Sequence, residues 1–116
     1  MIQVTPEILI DVGGVGYEVE IPLSTFEALP PVGEDVKLLT HHQVREDAQK
    51  LYGFGTRAER GLFRQLIGIS QIGPKVALNI LSRVSVDEFT ELVTRGDTAR
   101  LKGVPGIGGK TAERLI

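Results

Sequence analysis

Two lysines, Lys75 and Lys110, stand 35 positions apart in the same local setting, and that setting has the makings of an anion grip. The segments read Ile72-Gly73-Pro74-Lys75-Val76-Ala77 and Ile107-Gly108-Gly109-Lys110-Thr111-Ala112. Gly68 and Gly103 coincide at the same offset, and Ile80-Leu81 resembles Leu115-Ile116, so the shared pattern is G-h-x-x-I-G-x-K-x-A-x-x-h-h. Glycine permits positive φ, which lets a chain reverse between two helices, and the second helix then opens with free N–H groups directed outward. Those amides and the helix dipole favour an anion, while the lysine adds a mobile positive charge. The alanine lets the two helices of the hairpin pack closely. A single copy is better read as a glycine that ends or joins helices. Two copies in register, each with its lysine, fit two grips on the two phosphate backbones of one duplex. The first copy has Gln71 where the second has Gly106, and glutamine tolerates positive φ less well, so the first hairpin is expected to be strained or differently shaped.

Gly109-Lys110-Thr111 also resembles the end of a nucleotide phosphate loop. That loop needs glycine five positions before Gly109, and residue 104 is valine. It also needs a preceding buried strand and a later acid for Mg²⁺, whereas polar residues precede this segment and few follow it. A helix-hairpin-helix glycosylase is an enzyme with a similar hairpin, but its catalytic aspartate lies well downstream, and only six residues follow Lys110. Neither a metal cluster nor a nucleophile beside a base is evident, so a non-catalytic, cofactor-free binding module is expected. His41 and His42 are adjacent on a predicted strand and point to opposite faces, which argues against a shared metal.

The elements around these hairpins change character midway. Ile8, Ile10 and Val12 alternate with polar or small neighbours, Gly13-Gly14 supplies a turn, and Val15, Tyr17, Val19 and Ile21 alternate again. Residues 24–29 predict one helical turn, and strands are predicted over 36–44 and 48–54, joined by Arg45-Glu46-Asp47. From Arg57 the period becomes helical, with apolar stripes at Leu62, Phe63, Leu66 and Ile67, at Val76, Ala77, Ile80 and Leu81, and at Val86, Phe89, Leu92 and Val93. Ser85 with Glu88 three residues later reads as a capping box. Tyr52, Phe63 and Phe89 fall in these stripes and are expected in the core rather than under stacked bases. The fold class expected is α+β in two domains, 1–56 as a small barrel or an open sheet of the oligonucleotide-binding type and 57–116 as an all-α domain carrying the two hairpins.

Charge divides at the same place. Residues 1–56 hold three basic and nine acidic groups, net −6, and residues 57–116 hold ten basic and six acidic, net +4. A surface for a polyanion is expected in the second half. The sequence has no cysteine, and neither a bilayer-length apolar run nor a leader-like start is seen, so a cytoplasmic protein is expected.

Taken together these residues resemble the RuvA family, the junction-binding subunit of the bacterial Holliday-junction branch-migration complex. The likeness rests on Leu9-Ile10-Asp11-Val12-Gly13-Gly14-Val15-Gly16-Tyr17-Glu18-Val19, on Val44-Arg45-Glu46-Asp47-Ala48-Gln49 with Leu51-Tyr52-Gly53-Phe54, on Ile72-Gly73-Pro74-Lys75-Val76-Ala77-Leu78, and on Pro105-Gly106-Ile107-Gly108 with Lys110-Thr111-Ala112-Glu113-Arg114-Leu115.

The resemblance implies an N-terminal oligonucleotide-binding barrel, tandem helix-hairpin-helix motifs, and a homotetramer or octamer that seats an open four-way DNA junction in recombination and repair. It implies DNA-backbone contacts at Gly73, Pro74, Lys75, Gly106, Ile107, Gly108, Gly109 and Lys110, with Arg114 as a phosphate partner. It also implies that Glu46 and Asp47, otherwise ordinary turn acids, form an acidic pin repelling phosphates where strands exchange. Family partners are the RuvB motor, which carries the ATPase, and the RuvC resolvase. The family begins with a strand before the segment matching Glu7 to Val12, and six residues precede it here, so the barrel is expected to lack that strand. The family also continues into a third domain that binds RuvB, so motor recruitment is expected to be lost. A duplex-binding scaffold without junction preference is the alternative.

Overall fold

The computed structural model describes residues 6–69, 72–103, 107 and 112. Strands β1 (Glu7–Val12) and β2 (Val15–Glu20) form an antiparallel hairpin. Its two loop residues, Gly13 and Gly14, have φ of 61° and 89°, the doubly positive geometry that matches the strands' twist and that glycine reaches without strain. The Gly14 N–H also donates to Asp11 Oδ1 at 2.9 Å. The register sets Ile8 opposite Val19, Ile10 opposite Tyr17 and Val12 opposite Val15, so the alternation collects the apolar residues on one face.

Strands β3 (Leu39–Val44) and β4 (Gln49–Phe54) make a second antiparallel hairpin, and β4 runs parallel to β2, giving the order β1-β2-β4-β3. Both strands start later than the expected 36 and 48. The Ala48 carbonyl is taken by the Arg45 N–H at 2.8 Å to close the turn, so pairing resumes only at Gln49. Gly53 lets β4 lie close to β2, because a Cβ there would fall 2.7 Å from Val19 Cγ1.

Five helices complete the described chain: α1 (Leu23–Glu27), α2 (Arg57–Ile67), α3 (Pro74–Arg83), α4 (Val86–Arg95) and α5 (Thr98–Lys102). Thr56, Ser85 and Asp97 cap α2, α4 and α5, each side-chain oxygen accepting an N–H three residues on. Gly96 ends α4 in the left-handed conformation. The three apolar stripes are buried at Phe63 and Leu66, at Ala77, Ile80 and Leu81, and at Phe89 and Leu92. On α3 Leu78 and Asn79 are buried as well, because that helix packs against both α1 and α2.

One apolar core joins the end of the sheet to the helices. Phe63 of α2 sits 4.9 Å from Phe54 and 5.2 Å from Tyr52, ring centre to ring centre, with His41 edge-on at 5.5 Å. Such pairs contribute about 0.5–1.5 kcal/mol each beyond burial. Polar contacts tie the same seam. The Leu23 N–H donates to Ser82 Oγ at 2.8 Å, and that hydroxyl donates to the Leu78 carbonyl, also at 2.8 Å. Ser24 Oγ donates to Glu59 Oε2 at 2.6 Å. Arg64 Nε donates to His41 Nδ1 at 3.1 Å, so the ring proton is left on Nε2, which meets Gln43 Oε1 at 3.0 Å. Both histidines are accounted for by such side-chain bonds, and among the described residues no group of three His, Asp or Glu could hold a metal.

Candidate nucleic-acid interface

The first hairpin runs from α2 to α3. After α2 ends at Ile67, Gly68 caps it in right-handed geometry, the Ile72 N–H returns to the Ile69 carbonyl at 3.1 Å, and Ile72 is buried. Gly73 then opens α3 with φ −88° and ψ 174°. This corrects one expectation: Gly68 (φ −76°), Gly73 and Gly103 (φ −69°) all have negative φ, and the reversal is made without left-handed residues at these positions. Gly103 continues the right-handed geometry of α5, and the one atom a Cβ would approach, the Arg100 carbonyl at 3.2 Å, belongs to that same helix. At Gly73 a Cβ meets nothing within 4 Å among the described residues, and its torsions suit any residue.

What Gly73 leaves open is the start of α3. Pro74 occupies the first helical turn, the Gly73 carbonyl accepts the Ala77 N–H at 3.0 Å, and among the described residues no side chain caps the remaining amides, unlike the starts of α2, α4 and α5. Lys75 is exposed at this end. The arrangement supplies outward N–H groups and one mobile cation, which suits an anion.

The second hairpin is described at two positions, and both fit the repeat. Ile107 matches Ile72, the two being 5% and 4% exposed, and Ala112 matches Ala77, both wholly buried in the shared core. Gln71, Gly106, Gly108, Gly109, Lys110 and Arg114 lie outside the described residues.

The acids Glu46 and Asp47 sit exposed at the tip of the β3–β4 hairpin, held there by the Arg45-to-Ala48 bond, and neither has an ion-pair partner among the described residues. The fold brings this tip to the first hairpin. Asp47 lines a cleft of about 260 Å³ together with Lys75 and Pro74, and Gln43, Arg45, Ala48, Lys50 and Tyr52 complete its walls. Burial pushes the Tyr52 hydroxyl above the ordinary tyrosine range, Glu20 adds to the rise, and Arg45 opposes it. Arg45 and Lys50 are easy to pass over in a half so rich in acids. The hairpin register reveals them, because pairing Gln43 with Lys50 and His41 with Tyr52 aligns Arg45 on the same face.

Two stretches of the chain match known profiles. Residues 1–53 match the profile described as the RuvA N terminal domain, and residues 63–116 match the SAM-like helix-hairpin-helix tandem. Proteins named Holliday junction branch migration complex subunit RuvA are similar over 96% of this chain: 62% identical in Methylococcus capsulatus, 60% in Delftia acidovorans and 55% in Idiomarina loihiensis. The chain belongs to the RuvA family. It spans about half the length of the curated RuvA relatives it matches, between 54% and 58% of the three named. The α+β arrangement expected of RuvA, a four-stranded sheet and helices, is the one described above. Among the described residues no helix is long and apolar enough to cross a membrane.

Proposed function

We propose that this chain is a non-catalytic, structure-specific DNA-binding protein that recognises four-way junctions and holds them open. The observation that carries the reading is the juxtaposition of unlike charges: exposed Asp47, without an ion-pair partner among the described residues, shares a cleft with Lys75 at the start of α3. A phosphate backbone is attracted at the helical hairpins and repelled at the turn, so a DNA whose strands diverge at that turn fits better than a continuous duplex. Gly73 supports the reading, because neither torsion nor packing requires glycine there and an outside backbone gains by the missing side chain.

In this reading residues 1–56 form the barrel domain and 57–116 the tandem-hairpin domain. Gly106, Ile107, Gly108, Gly109, Lys110 and Arg114 form the second grip, and Ile107 among them is buried. Four subunits bring four acidic turns to the strand-exchange point, in the cytoplasm, as the junction-binding unit that the full-length family pairs with the RuvB motor and the RuvC resolvase.

Gel shifts of a four-way junction against a linear duplex of the same sequence, run alongside the mass of the free protein in solution, test the reading. Tighter junction binding by a tetramer is expected. Equal affinity for both DNAs means a duplex-binding scaffold instead.

A further inference from the structure

We infer that Arg45 joins Lys75 in seating one backbone phosphodiester, in the cleft between the β3–β4 turn and the start of α3. The inference rests on the DNA-binding reading above and adds a residue and a ligand to it. The cleft receives cations from two separate elements, Arg45 and Lys50 from the hairpin and Lys75 from the helix. Lys50 is partly committed, since its Nζ lies 3.6 Å from Glu20 Oε1. Arg45 and Lys75 have no ion-pair partner among the described residues. The Arg45 backbone is fixed by its N–H bond to the Ala48 carbonyl, which anchors the stem and leaves the guanidinium to the cleft.

The chemistry suits a phosphodiester. Arginine presents a planar fork that meets two phosphate oxygens at once, and lysine adds a point charge from the other wall. The cleft, about 260 Å³, has room for a phosphate with part of its hydration. Tyr52 in the wall stays protonated at neutral pH, because burial raises it, so it adds no negative charge. Asp47 lines the same space and opposes an arriving phosphate. The seat therefore sets attraction by Arg45 and Lys75 against repulsion by Asp47, and it couples the acidic turn directly to the first hairpin.

The test is the salt dependence of four-way-junction binding, measured by fluorescence anisotropy between about 50 and 200 mM salt, where each neutralised phosphate contributes a slope of about 0.9. Wild type is compared with Arg45→Gln, Lys75→Gln and the double variant. Arg95→Gln serves as a charge-matched control, since Arg95 pairs with Glu91 on α4. Two cations on one phosphate predict that the double variant loses about 0.9 per subunit and each single variant less. A loss of about 0.9 in each single variant and twice that in the double one assigns them to separate phosphates and overturns the shared seat, as does an unchanged slope in the double variant. Inorganic phosphate at matched ionic strength is expected to leave junction binding unchanged. Displacement beyond that given by chloride makes the seat a free-phosphate site and overturns the proposal. A wild-type chain that binds no junction at any salt contradicts the DNA-binding reading itself.

Discussion

The Leu23 amide donates to Ser82 Oγ at 2.8 Å across 59 positions of sequence, tying the start of α1 to the last turn of α3. Because α3 begins at Lys75's end of the first hairpin, this bond helps to fix the distance from the hairpin to the sheet that carries the acidic turn. Ser82→Ala leaves the Leu23 N–H without its protein partner, so about 1 kcal/mol of stability is expected to go, read as a lower urea midpoint with an unchanged slope. An unchanged midpoint would show that solvent replaces the hydroxyl at no cost.

Two glycines should answer in opposite ways to the same substitution. Gly73→Ala meets no atom within 4 Å and keeps allowed torsions, so stability should shift by no more than about 1 kcal/mol, the cost of a poorer helix cap, while DNA affinity falls. Gly53→Ala drives a methyl to 2.7 Å from Val19 Cγ1, and about 1–3 kcal/mol of destabilisation is expected. Thermal unfolding of both variants beside a duplex titration checks the pair. A Gly73→Ala protein that folds and binds as wild type would remove that glycine from the interface.

The two acids of the turn should not be equivalent. Asp47 lines the cleft with Lys75 and Arg45, and Glu46 does not. Asp47→Asn is expected to tighten linear-duplex binding about fivefold, the factor for roughly 1 kcal/mol, which is the scale for unit charges about 4 Å apart in water. Glu46→Gln should have a smaller effect, and equal effects in anisotropy titrations would contradict the placement of Asp47.

Tyr52 gives the pH prediction. Its folded value lies above the unfolded value of about 10, so the folded state holds this proton longer. The associated stability is present below pH 10 and is lost as pH rises through the folded value. Ultraviolet titration in a Tyr17→Phe background reports Tyr52 alone, since the chain has two tyrosines, and should give a midpoint above 10. A midpoint at the ordinary value would mean the ring is less buried than its packing on Phe63 indicates.

Much of this was legible in local pattern. Period-two alternation with Gly13-Gly14 specified the first hairpin, because two residues of positive φ between apolar runs leave few other solutions. The helical stripes located Phe63, Leu66, Ala77, Ile80, Phe89 and Leu92 in the core, and the repeat at offset 35 carried over to its buried members, Ile72 with Ile107 and Ala77 with Ala112. The torsion of Gly73 was not legible, since a glycine-containing reversal can be made with or without positive φ and only the backbone decides. Nor was the role of Arg45, whose neighbour Lys75 comes from a helix thirty positions on. The seam bonds of Ser82, Glu59 and Arg64 were equally hidden, because pairing across the fold leaves no periodic trace in the chain.

The central claim is that junction preference arises from acids at the turn set against bases at the hairpins, and the ratio of junction to duplex affinity at one fixed salt concentration measures it most directly. The wild-type chain should favour the four-way junction, and the Glu46→Gln/Asp47→Asn variant should bind duplex more tightly while binding the junction at least as well, so that the ratio falls towards one. A ratio unchanged in that variant, or a marked loss of junction binding, would contradict the account.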